Sequence, residues 1–342
     1  MDRVNPVLVE TTRGVLVECR HRGAAVAVDV GGRIVHAWGD VDRPVFARSA
    51  AKPLQALPLI ETGAADAFGL SDAEIALAAA SHSGESRHTD RIAAWLNRLG
   101  LGPADLECGA HAPMNEATAT ALIRAGTTFS ALHNNCSGKH TGFLATAVHR
   151  GEPTAGYIHP DHPVQRRVTA ILAEMGDFDA ARAPTGADGC GIPVIGLSLT
   201  ALARGMARMA APAGLPAARA AACRRIVDAM TGHPVLIAGS ARFDTAVMEA
   251  GNGAFAVKAG AEGVHVAILP KAGLGIALKI DDGGGRASEV ALANLLDRLV
   301  VLDPAIRSVL ASWCERPIHN WAGRQTGVIR AAAEWLGSAS RI

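Results

Sequence analysis

Runs of strand-forming residues lie near both ends of this 342-residue chain, and most of what separates them reads as helix. Near the N-terminus, Ala24 to Val30 and Arg33 to Trp38 flank Gly31-Gly32, a pair that suits a hairpin because both residues tolerate positive φ. Near the C-terminus, Val264 to Leu269 and Leu274 to Ile280 flank Pro270-Lys271-Ala272-Gly273, which reads as a turn. Strands drawn from both ends fit an antiparallel sheet with a mostly helical region inserted between them. The expected fold class is therefore α/β of the α+β kind. Residues 1–342 form one domain in this reading, with a helical subregion at about 70–235.

Within the insertion, Leu54, Leu57, Leu59 and Ile60 line a short helix that ends near Gly63. Ser71-Asp72-Ala73-Glu74 is a capping box that opens a helix over Ile75 to Ala80, and another runs from Ile92 to Leu99. Apolar periodicity predicts further helices at Gly138 to His149, Val164 to Met175, Val194 to Met209, Ala217 to Met230, Ser288 to Val301 and Gly327 to Leu336. The Pro- and Ala-rich stretch Ala210 to Ala218 is a joint or a loop between two of them.

Composition removes several classes of function. Formal net charge is +1 and no block of basic residues occurs, which argues against nucleic acid or a polybasic membrane surface. The longest run without a charged residue, Gly189 to Ala203, is shorter than the roughly 20 apolar residues of a membrane span. Met1 to Pro6 is charged early and leads into no signal-peptide core, so the expected location is the cytoplasm. Six dispersed cysteines in a reducing compartment suggest free thiols or metal ligands rather than disulfides.

Only five of the 33 basic residues are lysine: Lys52, Lys139, Lys258, Lys271 and Lys279. Arginine is always charged, whereas lysine can lose its proton in a buried site and act as a base. Lys52 completes Ser49-Ala50-Ala51-Lys52, an i,i+3 pair that brings a hydroxyl and an amine to one helix face, although Ser49 could instead be an N-cap. Ser81-His82-Ser83-Gly84-Glu85 is a polar cluster at the end of an Ala-rich helix, or simply its terminal turn. Lys258-Ala259-Gly260 places a lysine at a strand edge beside glycine. S-x-x-K, a serine motif and K-[TA]-G follow this order in serine β-lactamases and penicillin-binding proteins. Here Ser81-His82-Ser83 replaces S-D-N, and alanine stands in the third motif.

Cys136 in Asn134-Asn135-Cys136-Ser137-Gly138-Lys139-His140 and Cys190 in Asp188-Gly189-Cys190-Gly191-Ile192-Pro193 each sit in a glycine-containing turn. They are either buried thiols or soft ligands for a metal such as zinc, with the Lys139 amine as a possible third donor. His159-Pro160-Asp161-His162 has the look of a metal pair, but its prolines favour a turn that opens a helix.

Taken together, Arg48 to Gln55, Ser81 to Glu85, Asn134 to His140, Asp188 to Pro193, Arg242 to Thr245 and Lys258 to Gly263 resemble the asparaginase II family of rhizobial type, the class 3 L-asparaginases. That resemblance implies a fold like that of serine β-lactamases, penicillin-binding proteins and glutaminases. It also implies two Ser–Lys tandems, Ser49 with Lys52 and Ser81 with Lys258, and a labile zinc on Cys136, Lys139 and Cys190 that assists turnover. Arg48, Asp188 and His140 are then the substrate-binding residues, L-asparagine the substrate and a homodimer the assembly. A glutaminase, a β-lactam hydrolase and a non-catalytic zinc- or amide-binding protein are the alternatives.

Overall fold

A computed structural model describes residues 4–300 and 302–337, and divides into two compact units. The first comprises residues 1–50, 197–211 and 246–342, and the second residues 51–196 and 212–245. One division falls at residues 211 and 212, inside the Pro- and Ala-rich stretch.

The first unit is built on an eight-stranded antiparallel sheet. Its order runs Glu315–His319, Gln325–Ala331, Val7–Arg13, Leu16–Asp29, Leu274–Ile280, Val264–Leu269 and Ala256–Ala259, with Ile34–Trp38 also paired to Leu16–Asp29. The sheet thus joins strands from both ends of the sequence, and Val26 aligns with Ala277, which aligns with Val266. Val264–Leu269 is buried at every position, the pattern of a strand covered on both faces. The helices Leu199–Ala210 and Gly285–Leu299 supply that cover. At Gly275 a Cβ would stand 2.0 Å from the Ala203 carbonyl oxygen, so glycine is what lets the first helix approach so closely.

The second unit is mainly helical. Ser71 and Glu74 form the expected capping box, with the Ser71 amide donating to Glu74 Oε2 at 2.8 Å, and the helix runs Asp72–Ala78. Ser86–Arg98, Ser137–Arg150, Pro163–Gly176 and Ala217–Gly232 are its longest helices. His162 caps the third of these through its Nδ1, which accepts from the Val164 amide, so the His159 to His162 segment is the helix-opening turn its prolines suggested.

Two expected helices are partly strand. Val194 to Met209 divides into the strand Pro193–Leu197 and the helix Leu199–Ala210, with the Ser198 hydroxyl capping the helix at the Ala201 amide. A short apolar run such as Val194-Ile195-Gly196-Leu197 satisfies either period, and the cap decides where the helix starts. Gly327 to Leu336 divides as well: residues 327–331 belong to the strand Gln325–Ala331, where Ile329 pairs with Thr11, and the helix that follows is Ala333–Gly337. Val301, the expected end of another helix, lies outside the described residues; that helix is Gly285–Leu299.

Candidate active site

Three of the five lysines are buried: Lys52 and Lys258 are 1% exposed and Lys139 is 2% exposed. Burying an ammonium is costly unless its hydrogens are all satisfied, so their surroundings carry the chemistry. Lys271 is exposed and Lys279 half-buried, its ammonium donating to the Glu262 carbonyl oxygen at 2.7 Å.

In the second unit Lys52 opens a helical turn directly after the 3₁₀ turn Arg48–Ala51. Its Nζ bonds the Ala80 carbonyl oxygen, lies 2.9 Å from Ser81 Oγ and 3.4 Å from the Asn135 carbonyl oxygen. Two of those partners can only accept. The third, a hydroxyl, can also donate, so a neutral Lys52 would keep both carbonyl bonds and turn its lone pair to the Ser81 proton. Burial, reinforced by the neighbouring Lys139 ammonium, lowers the Lys52 pKa from the usual lysine value. Ser81 is fixed by its own amide, which donates to the Ile237 carbonyl oxygen at 2.8 Å.

The same unit brings Cys136, Lys139 and Cys190 together. Asn134 folds the loop before Cys136: its amide nitrogen donates to the Cys108 carbonyl oxygen at 2.8 Å, and its Oδ1 accepts from the Cys136 amide at 2.9 Å. Cys136 thereby becomes the N-cap of Ser137–Arg150, where the unpaired amides favour a thiolate. Cys190 lies at the tip of the hairpin formed by Thr185–Ala187 and Pro193–Leu197, and Lys139 Nζ is 3.1 Å from its sulfur. The two cysteines are hydrogen-bonded: the bond with Cys190 holds the Cys136 thiol well below its usual pKa, while the same bond raises that of Cys190. Lys139 is as deeply buried as Lys52 but shifts the other way. Burial opposes its charge, and the sulfurs of Cys136 and Cys190, helped by Asp188, outweigh that and raise its pKa.

This donor set suits zinc in kind, with two soft sulfurs and one amine converging in a buried position. The third donor here is a lysine, and no group of three His, Cys, Asp or Glu side chains that could hold a metal occurs among the described residues. The amine is charged as it stands, so a metal would have to displace its proton.

Asp188, half-buried at the same hairpin tip, accepts from the Gly189 amide through Oδ1 at 2.7 Å. His140 is buried one residue beyond Lys139, with its Nδ1 2.7 Å from the Tyr157 hydroxyl. Burial and the Lys139 and Lys52 ammoniums hold its pKa well below the usual histidine value.

The first unit holds Arg48, Ser49 and Lys258. Arg48 has φ 50°, a left-handed backbone that a non-glycine residue adopts at a cost, immediately before Ser49. Lys258 lies on the edge strand Ala256–Ala259 and its Nζ donates to the Ala259 carbonyl oxygen at 2.6 Å. At Gly260 a Cβ would come within 2.7 Å of the Ala47 carbonyl oxygen, so the glycine lets this turn close on the segment that carries Ser49.

Beyond Ser81, the Ser81 to Glu85 cluster contributes two more side chains, and Tyr157 is the residue that sequence reasoning passes over. Glu85 accepts from both the Ser240 amide, at 2.7 Å, and the Ser240 hydroxyl, at 2.8 Å, which ties the Ser81 turn to a segment far along the chain. His82 bridges to Ser137 Oγ at 2.9 Å and stacks on His88. Tyr157 carries the one signal that was available, as the single tyrosine of the chain.

Residues 9–331 match the model of L-asparaginase II, and the chain belongs to that family. No curated protein sequence matches it. Among solved structures it is similar to Mglu in its native form at high salt, with 16% identity over 87% of this chain and 66% of that one, at a TM-score of 0.44. The chain therefore spans just under two thirds of that Mglu chain. It is also similar to a β-lactamase from Mycobacterium bovis, with 15% identity over 85% of this chain and 94% of that one, at a TM-score of 0.40. A third likeness is to simvastatin synthase from Aspergillus terreus, with 11% identity, coverages of 85% and 91% and a TM-score of 0.37. No described helix is long and apolar enough to cross a membrane.

Proposed function

We propose that the protein hydrolyses the side-chain amide of L-asparagine to L-aspartate and ammonia through a serine acyl-enzyme. A serine Oγ attacks the amide carbon while a lysine amine takes its proton; the C–N bond breaks as the nitrogen gains a proton and leaves as ammonia; water then cleaves the ester. Ser49 is the nucleophile and Lys52 its base, with Ser81 and Lys258 relaying the proton to the leaving nitrogen. Arg48, Asp188 and His140 bind the substrate, which a homodimer in the cytoplasm would meet.

The observation that carries the reading is the buried Lys52 amine, lowered in pKa and hydrogen-bonded to a serine hydroxyl. Because that hydroxyl is Ser81, the same observation favours a second assignment in which Ser81 is the nucleophile and Lys52 its base. Cys136, Lys139 and Cys190 would hold zinc, which when bound would polarise an oxygen of the substrate or order Lys139 and Asp188.

Ammonia release from asparagine and from glutamine, with and without a chelator, tests the substrate and the metal. Mass spectrometry of quenched turnover on Ser49→Ala and Ser81→Ala assigns the nucleophile: the variant that still accumulates an aspartyl ester has kept it. Turnover of glutamine alone would overturn the asparaginase reading.

A further inference from the structure

The Tyr157 hydroxyl has two partners. Its oxygen accepts from the Glu107 amide at 2.9 Å and lies 2.7 Å from His140 Nδ1. Tyr157 is fully buried, its ring edge-on to the imidazole at 5.4 Å, and the Gln165 side chain holds its backbone by donating to the Tyr157 carbonyl oxygen at 2.9 Å. A buried hydroxyl whose proton finds no acceptor has lost its hydrogen bond to water with nothing in return. The acceptor at hand is Nδ1, because the amide of Glu107 can only donate. His140 Nδ1 must then be unprotonated, and the ring proton sits on Nε2.

That Nε2 is buried and bonded to no protein atom. A buried donor in this state usually answers to a water or a ligand. It belongs to a side chain in the first turn of Ser137–Arg150, near enough to Lys139 and Lys52 for both ammoniums to act on it.

We propose that Tyr157 is a positioning residue: it locks His140 in the Nε2–H tautomer, so that the ring presents a single fixed donor to a carbonyl or carboxylate oxygen of the bound substrate. This rests on the reading of His140 as substrate-binding, and extends it by naming the atom, its role as donor and the residue that sets it. Tyr157 touches no reacting atom in this scheme. The lock matters because a ring free to choose would offer Nε2 as an acceptor part of the time and repel the same oxygen.

The test begins with ¹⁵N-histidine labelling of the wild-type protein, with the His140 signal identified by its loss in His140→Gln. The expected result is a protonated Nε2 and an unprotonated Nδ1, with the Nε2–H signal shifting when L-aspartate is added. In Tyr157→Phe the tautomer should become mixed. KM for asparagine should rise about 10-fold with kcat changed less than about 3-fold, the loss of one hydrogen bond made in the ground state. Both His140 variants should raise KM, and His140→Gln, whose amide N–H can take the place of Nε2–H, should raise it at least about 3-fold less than His140→Asn, which reaches only the Nδ1 position. An unprotonated Nε2 in the wild-type protein overturns the proposal, as does a Tyr157→Phe protein whose tautomer and KM are both unchanged. Should Tyr157→Phe fail to fold, the wild-type spectrum and the two His140 variants decide alone. A protein that turns over no asparagine would sink the proposed function, while the tautomer and its response to L-aspartate would still judge this inference separately.

Discussion

Lys52 and Ser81, 29 residues apart in the chain, meet at 2.9 Å between amine and hydroxyl. Two backbone carbonyls take the other hydrogens of the amine, so the serine faces the one position from which a neutral lysine can accept a proton.

Replacing Lys52 by arginine keeps a cation but removes the base, since a guanidinium stays protonated in proteins. Ammonia release from asparagine should fall by about 10²-fold or more, the usual contribution of a general base. A Lys52→Arg enzyme with near-normal turnover, and an unchanged melting temperature to show it is folded, would reject Lys52 as the base.

The lowered pKa of Lys52 sets the direction of the pH profile. Burial is the main cause, and the base is active only when neutral, so kcat/KM should climb as pH rises through a pKa below the usual 10.5 and fall as pH drops beneath it. The same shift makes folding release a proton between that lowered value and 10.5, so stability should also rise with pH across the window. A rate profile that declines with pH in the same window would contradict the assignment.

Thiol labelling should sort the cysteines by surroundings. Cys19 is exposed and should react with a disulfide reagent in the native protein. Burial pushes Cys108 and Cys223 up to about 12, and both should stay silent until the protein is denatured. Peptide mapping after timed alkylation gives the order of reaction.

Zinc should change the labelling of Cys136 and Cys190 and of no other cysteine. Lys139→Arg, which keeps the charge opposite the sulfurs but cannot ligate, should weaken zinc binding by about 10-fold or more in a calorimetric titration. Equal zinc affinity in the variant would remove Lys139 from the ligand set.

Gly275→Ala should destabilise the first unit by about 1–3 kcal/mol, the cost of forcing a methyl group against the Ala203 carbonyl. Chemical denaturation of the variant measures it. No loss would mean that the helix Leu199–Ala210 can move away from the sheet freely.

Where sequence reading succeeded and failed follows from range. Val264–Leu269 and Leu274–Ile280 match their expected bounds, because a mostly apolar run broken only by His265, a proline-glycine turn and a second apolar run leave few other choices. Gly327 to Leu336 is helical only in its second half, because residues 327–331 are held between Glu315–His319 and Val7–Arg13, and the latter partner lies outside any local window. The site divides in the same way. Burial of Lys52, Lys139 and Lys258 follows from their rarity and motifs, whereas the contact of Lys52 with Ser81 and the opposite shifts of Lys52 and Lys139 depend on neighbours that only the fold supplies.

The strand Val7–Arg13 lies between Leu16–Asp29, its immediate successor, and Gln325–Ala331. As the chain leaves the ribosome the first pairing can form at once, but the second must wait until Gln325–Ala331 has been made. Meanwhile one edge of the young hairpin carries unpaired amides and carbonyls, and the helical second unit, complete by Thr245, can fold before that edge is covered. The sheet is thus begun before the second unit and closed after it, which leaves the protein open to pairing with another chain when synthesis between Leu16–Asp29 and Gln325–Ala331 is slow or interrupted.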